Sequence, residues 1–246
     1  MTTLADEAPE FFDWQGIKIF QHETVHKVGT DAVLLASWTA RLVEDVPSFI
    51  LDAGTGSGIL ALMMAKAFPS SRISAVDIDQ DALRLATKNA SDALSSGNRI
   101  KVSYENILAR PTSGSPGYNL IVCNPPFYNT TNLPDSEYKA RAKHSSAPIP
   151  AWMNGLLGRL ATSGQLCIIV PAEAAAKWIS AANQKGYYNQ HRMDVFSFDA
   201  DAKPKRTLLH FSADLIKPTF SRIVIYSPDQ SYATAYLNLT GIRPSK

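Results

Sequence analysis

The chain has 246 residues, 45% of them hydrophobic and 19% charged. That composition excludes a disordered or fibrous protein, and the length suits one large α/β domain or at most two small ones. A formal charge of +2 excludes a histone-like polycation. The average hides an asymmetry, because residues 1–14 hold four acids (Asp6, Glu7, Glu10, Asp13) and no Lys or Arg. Residues 15–246 therefore carry 24 basic against 18 acidic side chains, a formal +6. Two cysteines, Cys123 and Cys167, cannot build a disulfide framework and lack metal-ligand spacing. They fit a reducing, cytoplasmic setting and a protein without a metal. No apolar run is long enough for a membrane span. The opening MTTLADEAPE lacks the basic start and apolar core of a secretory signal.

In chain order, residues 1–25 read as irregular, with scattered aromatics at Phe11, Phe12, Trp14 and Phe20. These either close over a ligand or pack the N-terminal arm onto the body. Asp31–Trp38 reads as a short buried helix that Thr30 or Asp31 can cap. The apolar run Ser48–Asp52 then meets Gly-Thr-Gly-Ser-Gly, and Ile59–Phe68 reads as a helix. Strand, glycine loop and helix open a βαβ unit. The pattern repeats with a strand at Arg72–Asp77, a helix at Asp81–Leu94 and a third strand at Arg99–Tyr104. A fourth strand, Asn119–Cys123, runs into Asn124-Pro125-Pro126-Phe127. Residues 128–150, with Pro134, Pro148 and Pro150, read as a long polar loop of the kind that is usually functional. A helix at Trp152–Leu160, a strand at Gln165–Val170 and a helix at Ala172–Gln184 follow. The last third reads as β at His191–Phe198, Arg206–Ser212 and Arg222–Tyr226, which predicts an antiparallel hairpin ending the sheet.

Alternating β and α predicts a mostly parallel sheet with helices on both faces. Ligands of such sheets bind beyond the carboxyl ends of the strands. Asp52, Asp77, Glu105 or Asn106, and Asn124 all fall there. In Asp52-Ala-Gly54-Thr-Gly56-Ser-Gly58 the spacing is GxGxG, not the GxGxxG of a dinucleotide fold, and an acid stands just before the first glycine. That acid would repel a pyrophosphate and suits an amino-acid or sulfonium group, which favours S-adenosylmethionine over NAD. At the end of the second strand, Asp77 is placed to accept both ribose hydroxyls. Asp79 suits a cap for the next helix, and Ile78 can pack on an adenine. Asn106 can accept from the adenine amino group, with Glu105 as the alternative.

Asn124-Pro125-Pro126-Phe127 is the most specific motif. The lone pair of an exocyclic or amide nitrogen is delocalised into a π system. Two acceptors on its N–H groups, the Asn124 side-chain oxygen and the Pro125 carbonyl held by rings of fixed φ, pull the nitrogen towards sp³ and free that pair. Phe127 offers a stacking face for a planar acceptor. No general base is needed before attack, so catalysis is positioning plus electrostatics.

DAGTGSG (52–58), AVDID (75–79) and NPPF (124–127) resemble the class I S-adenosylmethionine-dependent amino-methyltransferases. More narrowly, HKVGTDAVLLASW (26–38), ARAKHSS (140–146) and KRTLLHFS (205–212) resemble the bacterial tRNA1(Val) (adenine(37)-N6)-methyltransferase family. The resemblance covers most of the chain. It implies a Rossmann-like seven-stranded sheet with an antiparallel hairpin, methylation of N6 of a tRNA adenosine beside the anticodon, and a cytoplasmic location; a monomer with tRNA as partner is expected. It assigns Lys27, Gly29, Thr30 and Asp31 to a segment over the methionine end of the cofactor. Asn106 stands where relatives often carry Asp. Residues 1–46 then form an arm and helix covering the cofactor site, and 47–246 the methyltransferase domain, within one globular unit. RNA needs positive charge near the site. Lys139, Arg141 and Lys143, with His144, follow the NPPF motif, and Arg192, Lys203, Lys205 and Arg206 come later; both groups are expected to flank the acceptor pocket. N5-glutamine protein methylation and guanine-N2 methylation of rRNA also use Asn-Pro-Pro motifs. An NAD oxidoreductase would leave the motif unexplained.

Overall fold

The computed structural model describes residues 11–21, 29–93, 99–111, 117–126 and 147–242. The chain opens with a hairpin, β1 (Phe11–Trp14) and β2 (Ile17–Phe20), where the sequence reads as irregular. Its two-residue turn has positive φ at both positions, 51° at Gln15 and 82° at Gly16. That turn matches the right-handed twist of the strands. Trp14 and Ile19 are buried in the main core, so the arm packs on the body. Helix α1 (Thr30–Leu42) runs four residues beyond the expected end. Gly29 occupies its cap position with no side-chain cap bond, so neither Thr30 nor Asp31 caps it.

The βαβ units follow as β3 (Phe49–Ala53), α2 (Ile59–Ala67), β4 (Arg72–Asp77), α3 (Gln80–Ala93), β5 (Ile100–Tyr104) and β6 (Tyr118–Cys123). Helix α4 (Ile149–Leu157) begins where a loop was expected to end. Its prolines, Pro148 at the cap and Pro150 just inside, sit where a helix needs no N–H. Strand β7 (Leu160–Pro171), a 3₁₀ turn at Ala172–Ala174 and α5 (Ala175–Asn183) come next. The chain closes with β8 (Tyr188–Phe196), β9 (Arg206–Ser212), β10 (Thr219–Val224) and α6 (Thr234–Thr240), a helix the sequence reading lacks.

The central sheet has the order β10-β8-β9-β7-β6-β3-β4-β5. Among the described residues it has eight strands, not seven, because β10 pairs in parallel with β8 and extends the edge. Among the described strands of this sheet only β9 runs against its neighbours, β7 and β8, which gives the expected antiparallel hairpin. Along β3 and β6 successive residues enter opposite cores. Ile50, Leu120 and Val122 pack with α1 and α2, whereas Leu51, Ile121 and Cys123 pack with Trp152, Leu156 and Trp178. Coverage on both faces is why these strands read as continuous apolar runs. Both cysteines are free and buried, and burial pushes the Cys167 thiol up to about 12. No helix among the described residues is long and apolar enough to cross a membrane.

One buried side chain ties the arm to the body. Asn89 of α3 accepts from the Phe20 N–H at 2.9 Å, and donates to Phe20 O at 3.0 Å and Ser57 O at 2.8 Å. It acts as a strand partner for β2 and anchors the glycine loop. Asn89→Ala should cost about 2–3 kcal/mol, since three bonds of about 1 kcal/mol each are lost. Urea unfolding measures this; an unchanged midpoint would show that the bonds carry no net stability.

Candidate functional site

The strands β6, β3, β4 and β5 are neighbours in the sheet and parallel, so their carboxyl ends share one edge. The chain reverses its direction of growth between β3 and β6, which opens a crevice there. Asn124, Asp52 with the glycine loop, Asp77, and Glu105 with Asn106 follow one another along this edge.

Asp52 is fully buried at the end of β3. Its Oδ2 accepts from the Thr55 hydroxyl at 2.6 Å and the Ala61 N–H at 3.0 Å. One carboxylate thus closes the turn and pins the first turn of α2. The other oxygen, Oδ1, is buried with no hydrogen-bond partner. Burial, opposed in part by the Thr55 and Ala61 donors, pushes the carboxyl from its ordinary 3.8 to about 7. The Gly54 and Thr55 N–H groups both donate to Val76 O at 2.9 Å, which ties the loop to β4. Gly54 and Gly56 have φ of 77° and 56°, and a Cβ on either would meet open space. Without a Cβ the backbone is left bare at both positions. Gly58, at φ 85°, instead lies against Ala86 of α3, which a Cβ would approach to 3.3 Å.

Asp77, at the end of β4, accepts from the Gly56 N–H on Oδ2 and from the Asp79 N–H on Oδ1, each at 3.0 Å. Burial raises its carboxyl above the usual range, with those donors opposing. Ile78 beside it is half-buried. Asp79 accepts from the Asp81 N–H at 2.9 Å and its carbonyl accepts from Leu83, so it caps α3 as expected.

Beyond β5 the two alternatives separate. Glu105 pairs with Arg159 at 2.7 Å. Asn106 accepts the Leu108 N–H on Oδ1 at 2.9 Å and stays half-buried at the edge. Asn124 and Pro126 are half-buried and Pro125 buried just past β6. The register pairs Cys123 with Ala53, so Asn124 comes up beside Gly54.

Arg206 donates from Nε to Asp31 Oδ2 at 2.8 Å. Arg206 also stands opposite Pro171, at the carboxyl end of β7. The start of α1, with Gly29 and Thr30, is thereby held at the same edge. Lys203 and Lys205 are exposed in the β8–β9 connection on that side. Arg192 lies inside β8, away from this rim, and binds Asp194 through Nε and Nη2 at 2.9 and 3.1 Å. Lys27, Phe127, Lys139, Arg141, Lys143 and His144 lie outside the described residues. Among the described residues no group of three or more His, Cys, Asp or Glu is placed to hold a metal.

Sequence reasoning missed three contributors, Thr55, Asn89 and Arg159. Thr55 had a signal, because a hydroxyl three residues after a buried acid can close a turn on it. The other two act through partners far along the chain and leave no local mark.

An open parallel sheet with a glycine loop after β3 and acids at the next strand ends is the architecture of class I methyltransferases. The family model of the methyltransferase small domain matches residues 19–143. A tRNA1(Val) (adenine(37)-N6)-methyltransferase of Flavobacterium psychrophilum is 31% identical over 93% of this chain and 97% of its own. One of the same name from Enterobacter sp. is 33% identical over 87% and 86%. Among solved structures, a predicted O-methyltransferase of Agrobacterium tumefaciens superposes with a TM-score of 0.63 at 18% identity, covering 86% of this chain and 95% of that one. TrmN from Thermus thermophilus gives 0.54 at 22%, covering 75% and 49%. The chain is a methyltransferase of the small-domain family. Within it, the chain belongs to the group of proteins that carry the name tRNA1(Val) (adenine(37)-N6)-methyltransferase.

The raised carboxyl of Asp52 has a measurable consequence. Between about 4 and about 7 the folded protein keeps a proton that the unfolded chain releases. Stability therefore falls as pH rises through that window and levels off above it. Asp52→Asn does not ionise and escapes the loss. The difference in Tm, variant minus wild type, should grow from pH 4 to pH 7; a flat difference would mean that Asp52 titrates normally.

Proposed function

We propose that this chain transfers a methyl group from S-adenosylmethionine to the exocyclic N6 of an adenosine in tRNA, position 37 of tRNA1(Val), acting as a cytoplasmic monomer. The observation that carries this reading is the match to relatives of that name over nearly the whole of both chains. The Asn124-Pro125-Pro126 segment beside the glycine loop supports it.

The edge residues fit the cofactor chemically. The bare backbone at Gly54 and Gly56 leaves room for a ligand against the loop. Asp77 offers carboxylate oxygens for ribose hydroxyls, with Ile78 and Asn106 on the adenine side. The unpartnered Oδ1 of Asp52 lies under the loop, where it favours a cationic ligand. Lys27, Gly29 and Thr30 would complete the methionine end. When bound, the cofactor supplies an electrophilic methyl group.

The protein's own work is to hold and sharpen the acceptor nitrogen. The Asn124 side-chain oxygen and the Pro125 carbonyl accept its two N–H bonds. The rings of Pro125 and Pro126 keep those acceptors fixed, so little reorganisation accompanies transfer. Phe127 stacks on the adenine. The methylated nitrogen then loses its proton to water. An anticodon-loop adenosine is unpaired, so turning it into the pocket costs little. Lys139, Arg141, Lys143 and Lys205 supply positive charge for the phosphates. Arg192 and Arg206 are already paired with Asp194 and Asp31 and contribute less.

Mass mapping of nucleosides from tRNA treated with the enzyme tests the reading. N6-methyladenosine beside the anticodon is the expected product. N2-methylguanosine, or methylation of protein glutamine alone, would overturn it. Asn124→Ala should lower kcat at least about a hundredfold while cofactor affinity holds. Asp77→Ala should instead weaken cofactor binding, and full turnover by the Asn124 variant would refute the role of the motif.

A further inference from the structure

We propose that Arg159 is a positioning residue that sets adenine recognition by orienting Asn106, a role that rests on the cofactor reading above. Arg159 follows α4, and its side chain is only 4% exposed. Its five N–H groups all find acceptors. Nε meets Glu105 Oε1 at 2.7 Å. Nη1 donates to Ile107 O at 3.0 Å and Gly155 O at 2.7 Å. Nη2 donates to Asn106 O at 3.1 Å and Ala109 O at 3.3 Å. Three of these carbonyls belong to the short loop after β5.

The consequence follows from one peptide plane. The Ile107 carbonyl is drawn to Arg159, so the N–H of the same peptide, on Leu108, points the other way. That N–H donates to Asn106 Oδ1 at 2.9 Å. The guanidinium thereby fixes the direction of the Asn106 amide through two hydrogen bonds on one peptide. Close docking of α4 supports the same grip. A Cβ on Gly155 would stand 2.0 Å from Ile107 O, so only glycine admits this approach. A buried cation is costly unless paired and fully hydrogen-bonded. Here that cost is met by Glu105 and four carbonyls, and an apolar side chain could close the helix without holding the loop.

A residue that only stabilised the fold would lower Tm and the active fraction, and leave the affinity of the folded molecules alone. A positioning residue changes affinity and base discrimination. The test is calorimetry with S-adenosylhomocysteine and with S-inosylhomocysteine, which carries a carbonyl in place of the adenine amino group. Wild-type protein, Arg159→Lys, Glu105→Gln and Asp77→Ala are compared, with kcat measured at saturating cofactor. Lys cannot span the fork of acceptors. Arg159→Lys should weaken S-adenosylhomocysteine at least about tenfold, the loss of about one charge-assisted bond. It should also shrink the preference over the inosine analogue and leave saturated kcat within about threefold. Glu105→Gln keeps the carbonyl bonds and should show a smaller loss in the same direction. If Arg159→Lys fails to fold, Glu105→Gln decides alone. Wild-type affinity and preference in the folded variants would overturn the proposal. Asp77→Ala weakened in the same series would leave the cofactor reading standing, whereas a wild-type protein that binds neither ligand would overturn both.

Discussion

A single buried carboxylate organises the edge on which everything else depends. Asp52 ends β3, accepts Thr55 and Ala61, and so turns a strand into a loop and the loop into a helix within nine residues. Its burial is unfavourable, as the upward shift of its carboxyl shows. The reward is positional. With Asp52 fixed, Gly54 and Gly56 present bare backbone to the crevice, and Gly56 reaches across to Asp77. An Ala at either glycine would need a left-handed φ that side chains disfavour.

Parallel pairing does the rest of the assembly. Residues 52, 77, 106 and 124 are far apart in the chain, yet β6, β3, β4 and β5 bring their ends into one row. β8 brings the chain back to this edge and the antiparallel β9 starts from it, so that Arg206 at the start of β9 holds Asp31 and with it the start of α1. The proposed acceptor residues thus adjoin the proposed cofactor residues by topology alone. Behind this row, Asn89 holds the glycine loop through Ser57 O and Arg159 holds the β5 loop through Ile107 O.

How much was legible in the sequence follows from how local each signal is. The apolar runs at Ile50–Leu51 and Leu120–Val122, the glycine spacing and the acids at strand ends are written within a few residues, and β3, β4, β5 and β6 fall within one residue of expectation, whereas β7 begins five residues before the expected Gln165. The β1–β2 hairpin was missed although Gln15-Gly16 lies between two aromatic and β-branched runs, because Gln is an uncommon first residue of such a turn. Helix α6 is short and closes on the stacked Tyr232–Tyr236 pair, a tertiary contact. Charge was the least legible feature. Arg159, Arg192 and Arg206 are each paired with an acid, so they and their partners cancel and leave the +6 of the body to other side chains. Composition cannot tell a cation facing solvent from one spent inside the fold.

On the proposed function the row of strand ends is a single binding site, and the structure of the protein with S-adenosylhomocysteine tests that most directly. The ribose hydroxyls should lie on Asp77, the adenine beside Ile78 and Asn106, and the sulfur should face Asn124 across the Gly54–Gly56 backbone. A ligand seated elsewhere, or one whose sulfur points away from Asn124, would contradict it.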